Sequence, residues 1–477
     1  MKKIVLLYFL CLSFVGLLAL EGKAKEPSDS LVSVVGLDEY GNPVRQGMGV
    51  VVSKDGGVLT SASIVSNCRS AVAKTADGAL HILRRTAHRD SFQDTILLQF
   101  DAGVSKFAPA ETAPGFQLPE KVWVGVRDNS GGRLQEAQLT KSLPFSPRLV
   151  LLKLEPENLE AEAGSPILNQ KGELVGMLHV FAGPQGKPSS CQFFLARDRE
   201  HLPFKIDEKH QEGDSPDEPL TNPTPAGEQA FWEGVGRSLQ QDWKEAGKSF
   251  TAALSGPERL PEVYYGRGVA RYQLGDRAGA VTDLEEAIRR LPRYALAFLW
   301  LGKAEERQGR REAAQRDYRQ ATTVAPELGE AWFRLGEMEY QGGDLAKAKE
   351  DLKNALGDSD LEAKSRWYLG NIALQEKRPE DALGEFKQAI ALEPGFFQAY
   401  LDGGRLLLEE LDRPEEAAAW LREAVRLQPG SGLARYCLAL AYALSRNRAD
   451  AWKQHFILQT ENPELAAQLA VILERFH

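Results

Sequence analysis

The sequence predicts a protein in two parts, an all-β half followed by an all-α half built from repeats. Short β-branched runs fill residues 31–204, a fixed period fills most of the remainder, and a stretch poor in large apolar residues separates them. The 477 residues are 43% hydrophobic and 26% charged, which argues against collagen-like, wholly disordered and multi-span membrane proteins. The net charge of −9 gives no clustered positive charge for nucleic acid, so no nucleic-acid partner is expected.

The N-terminus has the pattern of a signal peptide. Lys2 and Lys3 precede the apolar run Ile4–Leu20, and small residues follow up to Ala24. We therefore expect a signal peptide at residues 1–24 and an exported chain, periplasmic or secreted. Because the apolar run is longer than usual, an uncleaved N-terminal anchor is the alternative. No later stretch is long and apolar enough to span a membrane, so no span is expected after cleavage.

Cysteine usage fits an exported chain that is not held together by disulfides. Cys68, Cys191 and Cys437 remain after cleavage, so at most one bridge can form within the chain. Cys68 and Cys191 both lie in the β half and could pair, but buried free thiols are an equal alternative.

The β half covers residues 31–204 and ends at a linker. Runs such as LVSVVGL, KVWVGV and RLVLLKL are strand-sized and are joined by turn residues, which predicts a barrel or a sandwich. Residues 205–227 are rich in Pro, Asp and Glu and cannot bury enough apolar surface to fold, which predicts a disordered linker.

The second half has a 34-residue period. Small residues and prolines recur at matching positions of successive units and indicate close-packed antiparallel helices. This pattern resembles the tetratricopeptide repeat, which implies about seven helix–turn–helix units in residues 228–463 and a capping helix at 464–477. The recurring positions are Gly268, Gly302, Gly336, Gly370 and Gly404, then Ala280, Ala314, Ala348 and Ala382, then Ala287, Ala321, Ala355 and Ala389, with Pro292, Pro326 and Pro394.

Three segments of the β half resemble a trypsin-like serine protease domain of the high-temperature-requirement (Deg-type) class. They are GMGVVVSKDGGVLTSASIV from Gly47, RDSFQDTILLQF from Arg89 and AEAGSPILNQKGELVGM from Ala161. The resemblance implies a double β-barrel, and the order of the segments is that of the catalytic His, Asp and Ser regions. The overall fold class expected is a trypsin-like double β-barrel followed by a tetratricopeptide-repeat solenoid.

The catalytic positions that the resemblance implies are degenerate. Ser63 stands at the His position, Asp94 at the Asp position and Ala163 at the nucleophile position. Ala163 has no hydroxyl, and Ser63 cannot serve as a base near pH 7, so acyl transfer is not expected. Ser165 is the remaining candidate nucleophile close to this position.

Aromatic residues mark the concave face that the repeat resemblance implies. Two side chains about seven residues apart on each first helix point into that face, and the third unit offers Leu299 with Lys303, Glu306 and Arg307. Such a groove suits an extended or helical peptide with apolar anchors; packing between helices is the alternative for each ring. The peptide-binding candidates are Phe231, Tyr265, Tyr272, Phe333, Tyr340 and Trp367.

These observations favour an exported, non-catalytic interaction or scaffold protein with protein or peptide partners. The occupant of the repeat groove could also be the linker or the β half of the same chain. A divergent serine endopeptidase using Ser165 or Ser63, with substrate-recruiting repeats, is the second hypothesis, and a spacer that binds nothing is the third. Metal-binding and nucleotide-binding motifs are absent from the sequence, so no metal or cofactor is expected.

Overall fold

In the computed structural model the chain divides into two compact units, Met1–Tyr294 and Ala295–His477. The described strands all lie in the first unit and precede the paired helices, which continue through the second unit. This is the predicted order of an all-β part before an all-α part. The predicted signal peptide and most of the predicted linker lie outside the described residues. Those are 30–53, 56–66, 68–75, 78–90, 95–100, 118–127, 132–146, 149–155, 159, 161–162, 164–179, 193–196, 226–256 and 259–474.

The first β-barrel is antiparallel and closed. Its strand order is β1-β2-β3-β6-β5-β4, and β1 pairs with both β2 and β4. Valine and leucine side chains from these strands are buried together in the barrel core, which explains the β-branched runs. The strands are β1 (Leu31–Leu37), β2 (Pro43–Val51), β3 (Gly57–Ser61), β4 (Ser70–Thr75), β5 (Leu80–Asp90) and β6 (Thr95–Phe100), and the one-turn helix α1 (Ala62–Val65) follows β3.

The second β-barrel is also antiparallel and closed, with the order β10-β11-β12-β9-β8-β7. Its core contains Val122, Val124, Leu139 and Leu152, all fully buried. Two closed barrels confirm the predicted double β-barrel. The strands are β7 (Glu120–Val126), β8 (Arg133–Ser146), β9 (Leu149–Glu155), β10 (Pro166–Leu168), β11 (Leu174–His179) and β12 (Phe193–Ala196).

The first unit continues with helices that pack in consecutive pairs. Asp242 and Asp276 cap two of them, each accepting a hydrogen bond from a backbone N–H three residues further on. Helix α2 begins two residues before residue 228, where the repeats were predicted to begin. The helices of the described part of this unit are α2 (Ala226–Leu239), α3 (Trp243–Ala253), α4 (Pro261–Gln273) and α5 (Arg277–Arg290).

The second unit repeats the same paired arrangement and ends in one further helix. Proline occupies the first turn of α11, α13 and α16, where a missing N–H breaks no helical hydrogen bond. Within the described residues the helices are α6 (Ala295–Arg307), α7 (Arg311–Val324), α8 (Gly329–Gly342), α9 (Leu345–Asn354), α10 (Glu362–Gln375), α11 (Pro379–Leu392), α12 (Phe397–Glu409), α13 (Pro414–Leu427), α14 (Gly432–Leu444), α15 (Arg448–Glu461) and α16 (Pro463–Leu473).

The periodic small residues lie where paired helices touch. The alanines at both recurring positions are fully buried. A Cβ on Gly302 would lie 2.6 Å from the ring of Tyr318, and one on Gly370 would lie 2.6 Å from the ring of Phe386. Glycine is therefore required at these positions by the close approach of the second helix, and the predicted repeat solenoid is confirmed as a fold.

Candidate functional site

The turn at residues 162–165 closes on itself through its own hydrogen bonds. The Glu162 N–H donates to Oγ of Ser165 at 3.0 Å, and the Ser165 N–H donates to the Glu162 carbonyl at 3.1 Å. The Ser165 carbonyl accepts a hydrogen bond from the Leu178 N–H at 2.7 Å, which ties the turn to β11. Ser165 is fully buried, so its hydroxyl serves the turn and is not presented to solvent.

Gly164 brings this turn against the first barrel. Its φ of +76° lies in the left-handed region that favours glycine. A Cβ at this position would lie 2.6 Å from the Met48 carbonyl oxygen and 2.9 Å from the Ser61 backbone nitrogen. The third segment of the protease resemblance therefore lies next to the segment that carries Ser63, as a cleft between two barrels requires.

Ser63 lies in α1, immediately after β3. Its Oγ is 2.6 Å from Oγ of Ser61, and its backbone carbonyl accepts a hydrogen bond from the Arg45 guanidinium at 2.7 Å. Asp94 and Ala163 lie outside the described residues, so the structure does not test their predicted places. The backbone of His179 lies at the end of β11.

The polar groups beside this turn are hydroxyls and paired charges. Arg127 and Glu162 form a bidentate ion pair, in which Nη2 donates to Oε1 at 2.8 Å and Nε donates to Oε2 at 3.2 Å. The guanidinium of Arg127 holds the carboxylate of Glu162, a residue of the turn, so this ion pair stabilises the turn. Ser61 and Ser63 can donate and accept hydrogen bonds, but a hydroxyl is too weak a base to take a proton near pH 7.

Cys68, which lies shortly after α1 in the chain, is buried and has a free thiol. Its Sγ lies 3.7 Å from the carbonyl oxygens of Ile64 and Ser66. Burial raises the pKa of this thiol, which disfavours the thiolate that nucleophilic catalysis needs. Cys191, the partner considered from the sequence, lies outside the described residues.

The candidate groove residues of the first two repeats are mostly buried. Phe231 is 2% exposed and Tyr265 is 6% exposed, while Tyr272 is half-buried. Phe145, from the end of β8, lies against both buried rings, with its centroid 6.1 Å from that of Phe231 and 5.2 Å from that of Tyr265. Phe145 of the chain's own β half, one of the occupants considered from the sequence, therefore contacts the candidate rings of these two repeats.

The candidates of the second unit form one aromatic cluster around Tyr368. Its ring centroid is 5.9 Å from Phe333, 5.2 Å from Tyr340 and 4.7 Å from Trp367. Phe333 is 6% exposed, so it packs between helices, whereas Tyr340 and Trp367 are half-buried. The indole N–H of Trp367 donates to Asp402 at 2.8 Å. Tyr340 and Trp367 therefore keep some exposed surface on this side of the unit.

A polar cavity of about 700 Å³ adjoins this cluster. Burial raises the pKa of Asp402 at its edge, and the Trp367 hydrogen bond opposes that rise. Arg405 pairs with Glu409 at 3.2 Å, and both belong to the lining. Cations, carboxylates and amides therefore meet in one concave site. The lining residues are Asn371, Leu374, Gln375, Lys377, Pro379, Asp402, Arg405, Leu406, Glu409 and Glu410.

A second, more apolar cavity of about 420 Å³ continues from the first. It shares Arg405 and Glu409 with the polar cavity. Leu433 and Leu444 of α14 are 45% and 43% exposed at this site. Two neighbouring cavities, one polar and one apolar, therefore run along α10, α12 and α14. The remaining lining residues are Leu408, Tyr436, Cys437 and Leu440.

Two of the three charged residues proposed for the third unit, Lys303 and Glu306, are held by internal partners, whereas Arg307 is exposed. The ammonium of Lys303 lies 2.6 Å from Glu330 and 4.1 Å from the Trp300 ring centroid. Glu306 accepts a hydrogen bond from the Tyr318 hydroxyl at 2.8 Å. Burial is the largest influence on the pKa of Lys303 and lowers it. Lys303 and Glu306 therefore contribute mainly to packing between helices.

Sequence reasoning missed Phe145, Arg405 and the exposed leucines of α14. Phe145 carries no periodic signal, because it follows a proline in a strand that is otherwise mixed in polarity. Arg405 stands one residue after the periodic Gly404, so the repeat register could have located it on the concave face.

Comparison with protein families identifies both halves. The family described as a trypsin-like peptidase domain matches residues 47–177. The family described as a tetratricopeptide repeat matches residues 265–314, 301–350, 342–395 and 369–432. The chain therefore contains a trypsin-like peptidase domain followed by tetratricopeptide repeats. A search of curated proteins finds no match.

Solved structures resemble each part separately. The C-terminal part of a TPR repeat-containing protein from Cytophaga hutchinsonii is 18% identical with a TM-score of 0.43, over 50% of this chain and 98% of that one. The pilF protein of Pseudomonas aeruginosa is 19% identical, with a TM-score of 0.39, over 44% of this chain and 95% of that one. The MamO protease domain from Magnetospirillum magneticum is 20% identical with a TM-score of 0.29, over 36% and 92%.

Among the described residues, no group of three or more His, Cys, Asp or Glu side chains is arranged to hold a metal ion. None of the helices in the described part of the chain is long and apolar enough to cross a membrane.

Proposed function

We propose that this protein is an exported, non-catalytic scaffold that binds a peptide segment of a partner protein in the groove of its second unit. The observation that carries the proposal is the pair of adjoining cavities along α10, α12 and α14. Tetratricopeptide repeats suggest protein or peptide binding, and these cavities give a specific place for it.

The chemistry of the two cavities defines the peptide. Exposed Leu433 and Leu444 suit an apolar anchor, because covering them removes apolar surface from water. Arg405 and Asn371, which line the adjoining polar cavity, suit carboxylate or backbone carbonyl groups. An extended or helical segment with an apolar side chain near acidic or polar residues satisfies both cavities.

Catalytic inactivity is part of the proposal. It is supported by Ala163 at the nucleophile position, which has no hydroxyl, and by Ser63 at the base position. The burial of Ser165 and its hydrogen bond with the Glu162 N–H also disfavour that residue as a replacement nucleophile. Only the turn and the barrel framework of a protease would then remain.

Peptide binding is tested by selecting ligands from a displayed peptide library on the purified full chain. We expect Leu444→Asp and Arg405→Ala each to weaken binding of a selected peptide about tenfold or more, measured by fluorescence anisotropy. Phe456→Asp and Arg426→Ala are the matched controls, because these residues are exposed and do not line either cavity. A library that yields no binder, or binders insensitive to the groove variants, would favour the spacer hypothesis.

Inactivity is tested with a fluorophosphonate probe and a casein digest. We expect no labelling and no turnover with the wild-type chain or with Ser63→Ala. Labelling that Ser63→Ala or Ser165→Ala abolishes would instead establish the divergent endopeptidase.

A further inference from the structure

One aromatic side chain of the second barrel enters the groove of the first two repeats. Phe145 meets Tyr265 edge to face at 5.2 Å and 90°, and meets Phe231 at 6.1 Å and 78°. Leu151, on the strand after it, is 1% exposed and belongs to the same apolar cluster. The two rings proposed from the sequence as peptide-binding candidates therefore already contact an aromatic side chain of the chain's own β half.

An irregularity in the β8–β9 pairing presents this side chain. Pro144 pairs with Val150 and Ser146 pairs with Leu149, while Phe145 between them has no partner in the register. A bulge of this kind leaves one residue outside the ladder and redirects its side chain. The position of Phe145 is therefore set by the hairpin and does not need a flexible side chain to reach the groove.

The backbone of Phe145 is recognised as well as its ring. Its carbonyl accepts a hydrogen bond from the hydroxyl of Tyr294, a residue that is fully buried. A buried tyrosine hydroxyl needs a hydrogen-bond partner, and this carbonyl supplies one across the contact. The Tyr294 ring also lies 4.9 Å from that of Tyr265, so it belongs to the same set of aromatic residues.

Phe250 is the fourth repeat residue whose ring surrounds Phe145. It is fully buried, and its ring centroid is 6.5 Å from that of Phe145. Gly234 and Gly266 make room for it, because a Cβ on either would lie 2.7 or 2.4 Å from its ring. We call Phe231, Phe250, Tyr265 and Tyr294 the aromatic pocket.

We propose that the aromatic pocket is a docking site for the chain's own β domain, with Phe145 as the side chain it binds. Docking holds the second barrel and the first two repeats together independently of the covalent connection between them. The groove of the first two repeats then holds an internal occupant, whereas the groove along α10, α12 and α14 takes the external peptide. Its test uses different residues from the peptide-binding test, so the two proposals succeed or fail separately.

The experiment severs the covalent connection in the otherwise complete chain. A recognition sequence for a site-specific protease replaces residues 212–218, which lie between β12 and α2 in the sequence. After cleavage is verified on a denaturing gel, the two fragments are run on a size-exclusion column at about micromolar concentration. We expect them to elute together. Separate elution of the wild-type fragments overturns the proposal.

Variants at the contact identify what holds the fragments. We expect Phe145→Ala to weaken their association by two to three orders of magnitude, as loss of a central aromatic anchor does. Tyr294→Phe removes one hydrogen bond and is expected to weaken it about tenfold. Tyr40→Ala is the matched control, because this ring of the first barrel is 77% exposed, and it should change nothing.

Hydrogen exchange on the uncut chain tests the same contact without separating the two fragments. We expect backbone amides of α2 and α4 to exchange hydrogen faster in Phe145→Ala than in Tyr40→Ala, with amides of β1 unchanged. If Phe145→Ala does not give a folded chain, Phe145→Leu keeps an apolar side chain and is expected to weaken association about tenfold. Co-elution and exchange that are unaltered in the Phe145 variants contradict the proposal.

Discussion

At the scale of single residues, a carboxyl group in the second unit is placed to respond to pH. Burial is the largest cause of a pKa of about 7 for Asp351, followed by a hydrogen bond and charge repulsion from Glu339. Glu339 is 4% exposed and is held by Arg319 at 2.9 Å. The folded chain therefore keeps a proton on Asp351 at pH values where the unfolded chain has lost it.

The sign of the pH dependence follows from the raised pKa. Because the folded state binds more protons, the stabilising effect is fully present below about pH 4 and is lost as the pH rises towards 7. We expect Asp351→Asn to remove this loss and to raise the free energy of unfolding at pH 8 by about 1 kcal/mol, allowing for partial solvent exposure. Urea titrations at pH 5 and pH 8 measure it. Asp360→Asn is the exposed control, and equal pH slopes in both variants would refute the assignment.

Two thiols are predicted to be inert in the folded protein. Burial raises the pKa of Cys68 and raises that of Cys437 to about 11. Since the thiolate is the reactive form, we expect neither to react with iodoacetamide at pH 8 until the chain is unfolded. Peptide mapping by mass spectrometry reads each site separately, and Tyr40→Cys gives an exposed thiol as the positive control. Rapid modification of Cys437 in the native chain would mean that the neighbouring cavity exposes its sulfur.

At the scale of elements, two glycines of one helix pair have opposite roles. A Cβ on Gly370 of α10 would collide with Phe386, whereas one on Gly384 of α11 meets no atom within 4 Å. We expect Gly370→Ala to destabilise the protein by about 1–3 kcal/mol through overpacking. Gly384→Ala should instead stabilise it by about 0.5–1 kcal/mol, because alanine is the better helix former.

Thermal or urea unfolding of the two variants measures this difference. Both substitutions add a methyl group to the same repeat, so each is the control for the other. Destabilisation by Gly384→Ala would show that its neighbours are closer than the structure places them.

At the scale of the whole molecule, export stays a prediction from the sequence, since residues 1–24 lie outside the described part of the chain. We expect the chain expressed in a bacterium to be recovered from the periplasm or medium with Lys25 as its first residue, as N-terminal sequencing would show. Leu17→Arg with Leu18→Arg interrupts the apolar run and should leave the N-terminus intact in the cytoplasm. Recovery of uncleaved wild-type chain in the membrane fraction would instead support the anchor.

The sequence predicted the architecture well because both halves carry periodic signals. The 34-residue spacing of the recurring glycines, Gly302 and Gly370 among them, reflects helix contacts inside each repeat, and close packing leaves few other residues that fit there. Contacts between distant segments leave no such periodicity. The contact of Phe145 with Tyr265 depends on a local irregularity in strand pairing, and the cavities beside Arg405 are lined by residues from several repeats.

The bulge at Phe145 makes the association of the β domain with the first two repeats depend on the length of one strand. Deleting residue 145 would allow Pro144 and Ser146 to continue a regular ladder and would withdraw the aromatic ring and its carbonyl together. A single in-frame deletion, with no change to either barrel core or to any repeat, would convert a joined molecule into two parts connected by chain alone. Among related sequences, the presence or absence of that one residue should therefore coincide with retention of an aromatic residue at position 265.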